Sequence, residues 1–161
     1  MRLAVAAVVA GLFAAACGSD VASPSVLSSA GAWARTTPPG ATNGVVYLQI
    51  TSPTDDAIVG ASVPASVAGS AELHETMGAE GGAAMPNMPN MDSGDGEMTM
   101  TPVDSVLLPA GEPVAFEPGG KHIMLVDLAN PLTAGDHLAL TLTLANGTTL
   151  PIDVVVADNA P

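Results

Sequence analysis

The sequence predicts an all-β domain, an antiparallel sandwich or barrel, and three observations carry that expectation. Short runs rich in Val, Ile, Leu and Thr recur between residues 45 and 157, separated by Gly, Pro, Asn and Asp. The last two of these runs alternate with the period of two that a half-buried strand requires. Nowhere do apolar residues repeat at helical spacing over twelve residues. Many short strands divided by frequent turn residues fit a sandwich or barrel and little else.

The N-terminus reads as a processing segment. Met1 and Arg2 form a basic head, followed by LAVAAVVAGLFAAA at 3–16 and then Cys17. The run is short for a membrane span and has the shape of a signal peptide core. AAAC at 14–17 resembles a bacterial lipobox, with Ala14 where leucine is commonest. We therefore expect residues 1–16 to be removed and Cys17 to carry a lipid, anchoring the protein to the extracytoplasmic face of a cell membrane, at the surface or in the periplasm. An ordinary secretory signal cut nearby is the alternative. Residues 17–30 then form the lipidated cysteine and a flexible Ser- and Gly-containing tether, residues 31–156 the folded domain, and residues 157–161 a frayed tail.

Cys17 is the only cysteine, so a lipidated chain has no disulfide and no thiolate metal ligand. Loss of residues 1–16 removes Arg2 and leaves Arg35 and Lys121 against sixteen acids, a formal charge of −14. Such a chain does not bind nucleic acid or an anionic membrane surface by charge.

The elements follow in order. VVYLQI at 45–50 is bounded by PPGATNG and TSPTDD, and IVGASV at 58–63 is a weaker run. SAELHET at 70–76 precedes a methionine-rich stretch. After it come PVDSVLL at 102–108, VAFEP at 114–118 and KHIMLVDL at 121–128. HLALTLTL at 137–144 and TTLPIDVVVA at 148–157 flank Asn146-Gly147, a strong hairpin signal. Trp33 and Tyr47 are expected as the few large packing groups, at the core or its rim.

The chemistry lies in histidine and methionine. His122 and Met124, two apart on a strand, share a face, with Ile123 and Leu125 on the other. An imidazole beside a thioether is a donor pair for a soft ion such as Cu(I). His74 lies in a similar segment with Met77 three residues on. Met85, Met88, Met91, Met98 and Met100 then crowd into sixteen positions with Pro, Asn, Gly and acids between them. As core this run would bury amides without partners; as a loop it can gather thioethers around copper. His137 has no methionine near it in sequence and reads as a surface residue. No G-x-S-x-G or H-E-x-x-H motif occurs, and DSGDGE at 92–97 lacks EF-hand spacing. The expectation is a binding protein and not an enzyme.

These residues resemble the PCuAC family of periplasmic or surface copper(I) chaperones. Its pattern is His, ten residues, Met, twenty-one residues, His, any residue, Met. Met100, His122 and Met124 match the second half at full spacing. GAWARTTPPGATNGVVYLQI at 31–50, LHE at 73–75, PAGEPVAFEPGGKHIMLVDLANPL at 109–132 and AGDHLALTLTL at 134–144 also resemble family text. The first half departs from the pattern, because twenty-five residues separate His74 from Met100. We read 85–99 as a methionine-rich insertion with Met100 at its base, while Met85 competes for the same role. The resemblance implies a cupredoxin-like, immunoglobulin-like Greek-key sandwich. It also implies a Cu(I) site of His74, Met100, His122 and Met124; Met77, Met85, Met88, Met91 and Met98 are the additional donors that the methionine pattern itself offers. The implied partners are copper, other copper chaperones and a membrane cuproenzyme client, the binuclear copper centre of cytochrome c oxidase. A copper-buffering lipoprotein without that client, and a structural or adhesion sandwich, are the alternatives.

Overall fold

The Asn146-Gly147 turn does what its sequence predicts. Val154 and Val156 of the final strand and Leu138, Leu140 and Leu142 of the preceding one all point into the core, and Leu140 stands opposite Ile152. Gly147 takes φ +86, a left-handed conformation that side-chain-bearing residues avoid. The structure is a computed structural model, and residues 26–77 and 99–160 are described.

Among the described residues there are ten strands: β1 (Ser28–Arg35), β2 (Asn43–Thr51), β3 (Asp56–Ser62), β4 (Ala68–Met77), β5 (Thr99–Pro102), β6 (Val106–Leu108), β7 (Pro113–Phe116), β8 (Lys121–Leu128), β9 (His137–Leu144) and β10 (Thr149–Ala157). Their order across the sheet is β5-β4-β8-β2-β1-β10-β9-β3-β6, with β7 also paired to β2. A further pairing of β3 with β4, at Ala61 and Ala71, closes the sheet on itself. The all-β sandwich of the sequence reading is thus closed in the manner of a barrel. Neighbours distant in sequence, β4 beside β8 and β8 beside β2, give it Greek-key connectivity. Among the described residues no helix is long and apolar enough to cross a membrane.

Three details differ from expectation. The first strand starts at Ser28, so residues 28–30 are not tether: Ser28, Ser29 and Ala30 face Thr51, Ile50 and Gln49. The pairing of β1 with β10 is parallel, the exception among the strand ladders. PVDSVLL is not one strand. A bend at Asp104 separates β5, which pairs with β4, from β6, which pairs with β3.

The core is aliphatic. Val46, Ile50, Ile58, Ile123, Leu125, Leu140, Leu142 and Val154 have no exposed surface, and each such side chain contributes about 1.5–3 kcal/mol on burial. Trp33 and Tyr47 face each other across β1 and β2, ring centroids 5.0 Å apart at 40°, both buried. Alternation then decides the site. With Leu73, Ile123 and Leu125 committed inward, the residues between them on β4 and β8 must occupy the opposite face.

Candidate metal centre

Four β4–β8 cross-strand pairs lie in succession: Glu75 with Lys121, His74 with His122, Leu73 with Ile123, and Glu72 with Met124. Glu72, His74, His122 and Met124 therefore share the face opposite the core. On the far side of β4, Met100 of β5 stands opposite Thr76, two residues from His74 on that same face. The strand ladder thus carries the four expected ligands onto one patch spanning β5, β4 and β8.

The two imidazoles are the centre of the patch. Their ring centroids are 5.8 Å apart with planes tilted by 40°. Both are buried, His74 to 8% and His122 to 2% residual exposure. His74 Nε2 lies 3.2 Å from Glu72 Oε2, and His122 Nδ1 lies 3.1 Å from the Gly120 carbonyl oxygen. Carboxylate and carbonyl oxygens accept hydrogen bonds, so each of these nitrogens carries the proton and donates. A neutral imidazole then has its lone pair on the other nitrogen. Those other nitrogens, His74 Nδ1 and His122 Nε2, are buried and have no hydrogen-bond partner. Buried polar atoms are rarely left so, because desolvation without a partner is costly. Two buried lone pairs on adjacent rings fit a metal ion.

The turn before β8 explains why His122 is held. Pro118-Gly119-Gly120 turns with Gly119 at φ +84, bringing the Gly120 carbonyl to the strand end. That oxygen also accepts from the Thr76 backbone N–H at 3.1 Å. On the flank, Lys121 Nζ pairs with Glu75 Oε1 at 2.9 Å. Both partners are about one-third exposed, so the pair contributes at most about 1 kcal/mol.

The thioethers open to one groove. Met100 and Met124 both line a cavity of about 260 Å³ together with Arg35, Thr37, Gly44 and Val45. Met100 is 54% exposed, unusual for so apolar a side chain. The set therefore has two buried imidazole donors and two thioethers reachable from solvent. Imidazole and thioether favour Cu(I), and the patch contains no thiolate. Among the described residues no cluster of three or more His, Cys, Asp and Glu side chains forms, so a hard, carboxylate-rich site is not built there.

His137 stands apart from this patch, at the start of β9, exposed and 2.7 Å from Asp153 Oδ2. Met77 ends β4 opposite Thr99. Met85, Met88, Met91 and Met98, with most of the expected insertion, lie outside the described residues, as does Cys17. The sequence reading missed Glu72 and Gly120. The signal for Glu72 was available in E-x-H, the same period-two spacing that joins His122 to Met124.

The family description "Putative lipoprotein LpqE-like" matches residues 27–93 and 83–156. The chain belongs to the LpqE-like family. A relative of this LpqE-like chain, "Putative lipoprotein Lxx21020" of Leifsonia xyli subsp. xyli (strain CTCB07), is 32% identical over 127 residues, 79% of the chain and 67% of the relative. Among solved structures, the copper-bound PCuAC domain from PmoF2 superposes with a TM-score of 0.59 at 22% identity, over 84% of this chain and 93% of that one. The solution structure of CuI-DR1885 from Deinococcus radiodurans gives 0.57 at 25% identity, over 88% and 84%. The LpqE-like chain thus has the cupredoxin-like fold of PCuAC domains.

Proposed function

We propose that this LpqE-like protein is an exported, lipid-anchored copper(I) carrier. His74, Met100, His122 and Met124 hold the ion, and the client is a membrane cuproenzyme, the binuclear copper centre of cytochrome c oxidase. The observation that carries the reading is the pair of buried, partnerless nitrogens, His74 Nδ1 and His122 Nε2, on the strand face that also carries Met100 and Met124. Two structural neighbours, the copper-bound PmoF2 domain and CuI-DR1885, carry copper, which supports it, and the lipoprotein character given for the family and its relative supports the anchor. The oxidase as client rests on the resemblance to copper chaperones in sequence.

The division of labour follows from burial. The imidazoles, held by their outer hydrogen bonds, give the ion a fixed seat. The thioethers remain neutral at every pH and reach solvent, so an incoming partner can replace them one at a time while the histidines still hold copper. Transfer by ligand exchange avoids releasing the free ion. The formal charge of −14 raises the local concentration of cations without choosing among them; the soft donors choose.

The test is a Cu(I) titration of the purified protein against a chromophoric chelator. One tight ion per chain is expected, abolished by His122→Ala combined with Met124→Ala. Unchanged affinity in that double variant removes the pair from the site. Deleting the gene and measuring oxidase copper separates delivery from buffering, since a buffer leaves the oxidase metallated at ample copper.

A further inference from the structure

Glu72 has no place among the expected ligands, yet it touches one of them. Along β4 the side chains of Ser70, Glu72 and His74 follow one another at a spacing of two, on the face opposite the core. Ser70 Oγ donates to Glu72 Oε1 at 3.2 Å, and His74 Nε2 donates to Glu72 Oε2 at 3.2 Å. The two oxygens of the carboxylate are thus taken by different partners, one fixing the carboxylate and the other using it. At the end of the relay, His74 Nδ1 is buried and partnerless.

We propose that Glu72 is the positioning residue of the copper site: it fixes the tautomer and ring orientation of His74 so that Nδ1 presents its lone pair. The inference rests on the copper reading above for its function, though not for its geometry. A histidine ring can turn about χ2, exchanging the places of its two nitrogens, and its single proton can sit on either. A carboxylate bound to Nε2–H removes both freedoms at once and makes the opposite nitrogen a stronger donor. Glu72 side-chain exposure is 48%, so the residue is spared from packing and its substitution leaves the core intact. It stands opposite Met124 in the β4–β8 ladder, which keeps its charge on the face that carries the proposed ligands.

His122 provides an internal control. Its proton is held on Nδ1 by the Gly120 carbonyl, a backbone group that substitution of Glu72 does not touch. The two histidines therefore carry opposite tautomers, a pattern readable without metal.

The experiment uses the metal-free protein labelled with 15N and long-range nitrogen–proton correlation spectra of the imidazoles. In the parent, His74 is expected with a protonated Nε2 and His122 with a protonated Nδ1. Glu72→Leu removes the acceptor and should average the two His74 nitrogen shifts, leaving those of His122 in place. Glu72→Gln keeps an acceptor oxygen and should restore the parent pattern. In the Cu(I) titration, Glu72→Leu should weaken binding about 10- to 100-fold, the range for loss of a group hydrogen-bonded to a metal-ligating histidine, while Glu72→Gln stays near the parent. Identical His74 shifts in the parent and Glu72→Leu overturn the proposal. If the shifts change but the parent binds no Cu(I), the positioning stands and the copper reading falls.

Discussion

His74 and His122 are cross-strand partners whose rings, 5.8 Å apart, expose complementary nitrogens: Nδ1 of one and Nε2 of the other lack any partner while the remaining two are hydrogen-bonded. A strand ladder places two side chains opposite each other, but does not choose which atoms meet. Here the choice is made by Glu72 and the Gly120 carbonyl. Replacing His74 by Ala should therefore cost copper affinity as severely as replacing His122, and His137→Ala should cost nothing, because His137 is exposed and bound to Asp153. Competition titration of the three single variants checks this, and a loss at His137 equal to the others defeats it.

Met100→Leu and Met124→Leu separate donor chemistry from packing. Leucine retains most of the bulk, so the unfolding free energy should change by less than about 1.5 kcal/mol. Cu(I) affinity should fall at least about tenfold for each, or ~1.4 kcal/mol. Sulfur scattering in X-ray absorption of the copper-loaded protein should fall with each substitution. Retained sulfur in the double variant would assign the donors to other methionines.

Tyr47 is the chain's only tyrosine, which makes its titration readable by phenolate absorbance. Burial pushes its ionisation above the ordinary value of 10.0, and the Arg35 charge opposes the rise. The unfolded chain loses this proton first. The stability held by neutral Tyr47 is thus complete below pH 10 and drains away as pH climbs through 10 toward the folded midpoint. The native protein should titrate later than the denatured one, and Arg35→Gln should delay it further. A native midpoint at or below the denatured one contradicts this.

Leu140→Ala tests the core. Leu140 has no exposed surface and faces Ile152 across the final hairpin. Losing its branched side chain should cost about 3 kcal/mol, through lost burial and the cavity left behind. Urea unfolding should show a lower midpoint with an unchanged slope, and copper affinity at the distant site should persist.

The anchor has its own test. Mass spectrometry of the membrane-extracted protein should find Cys17 as the N-terminal residue with a diacylglycerol increment. A retained segment 1–16, or an unmodified terminus elsewhere, removes the lipid from the account.

The sequence made the ladder legible and left the lock hidden. Period-two alternation in HLALTLTL and KHIMLVDL announces which side chains face the core, so the shared face of His122 and Met124 could be read directly. Met100 is singled out through the resemblance to PCuAC proteins, whose pattern sets twenty-one residues between that methionine and the histidine. The tautomers could not, because they depend on rotamers and on a carbonyl delivered by the Gly119 turn. Nor could the parallel docking of β1 on β10, a contact between chain segments more than a hundred residues apart. Residues 28–30 looked like tether because Ser, Ser and Ala carry little strand signal; their pairing with β2 supplies what the side chains lack.

The course of β1 has a further consequence. Arg35, at its end, borders the groove of Met100 and Met124, whereas Ser28, at its beginning, pairs with Thr51 at the far end of β2. At about 3.3 Å per residue the seven steps between them span roughly 23 Å. The described chain thus enters the barrel at the pole remote from the groove. An anchor reached through that end would leave the copper face looking outward from the bilayer, like a lamp hung by its base, toward a client domain standing above the membrane plane.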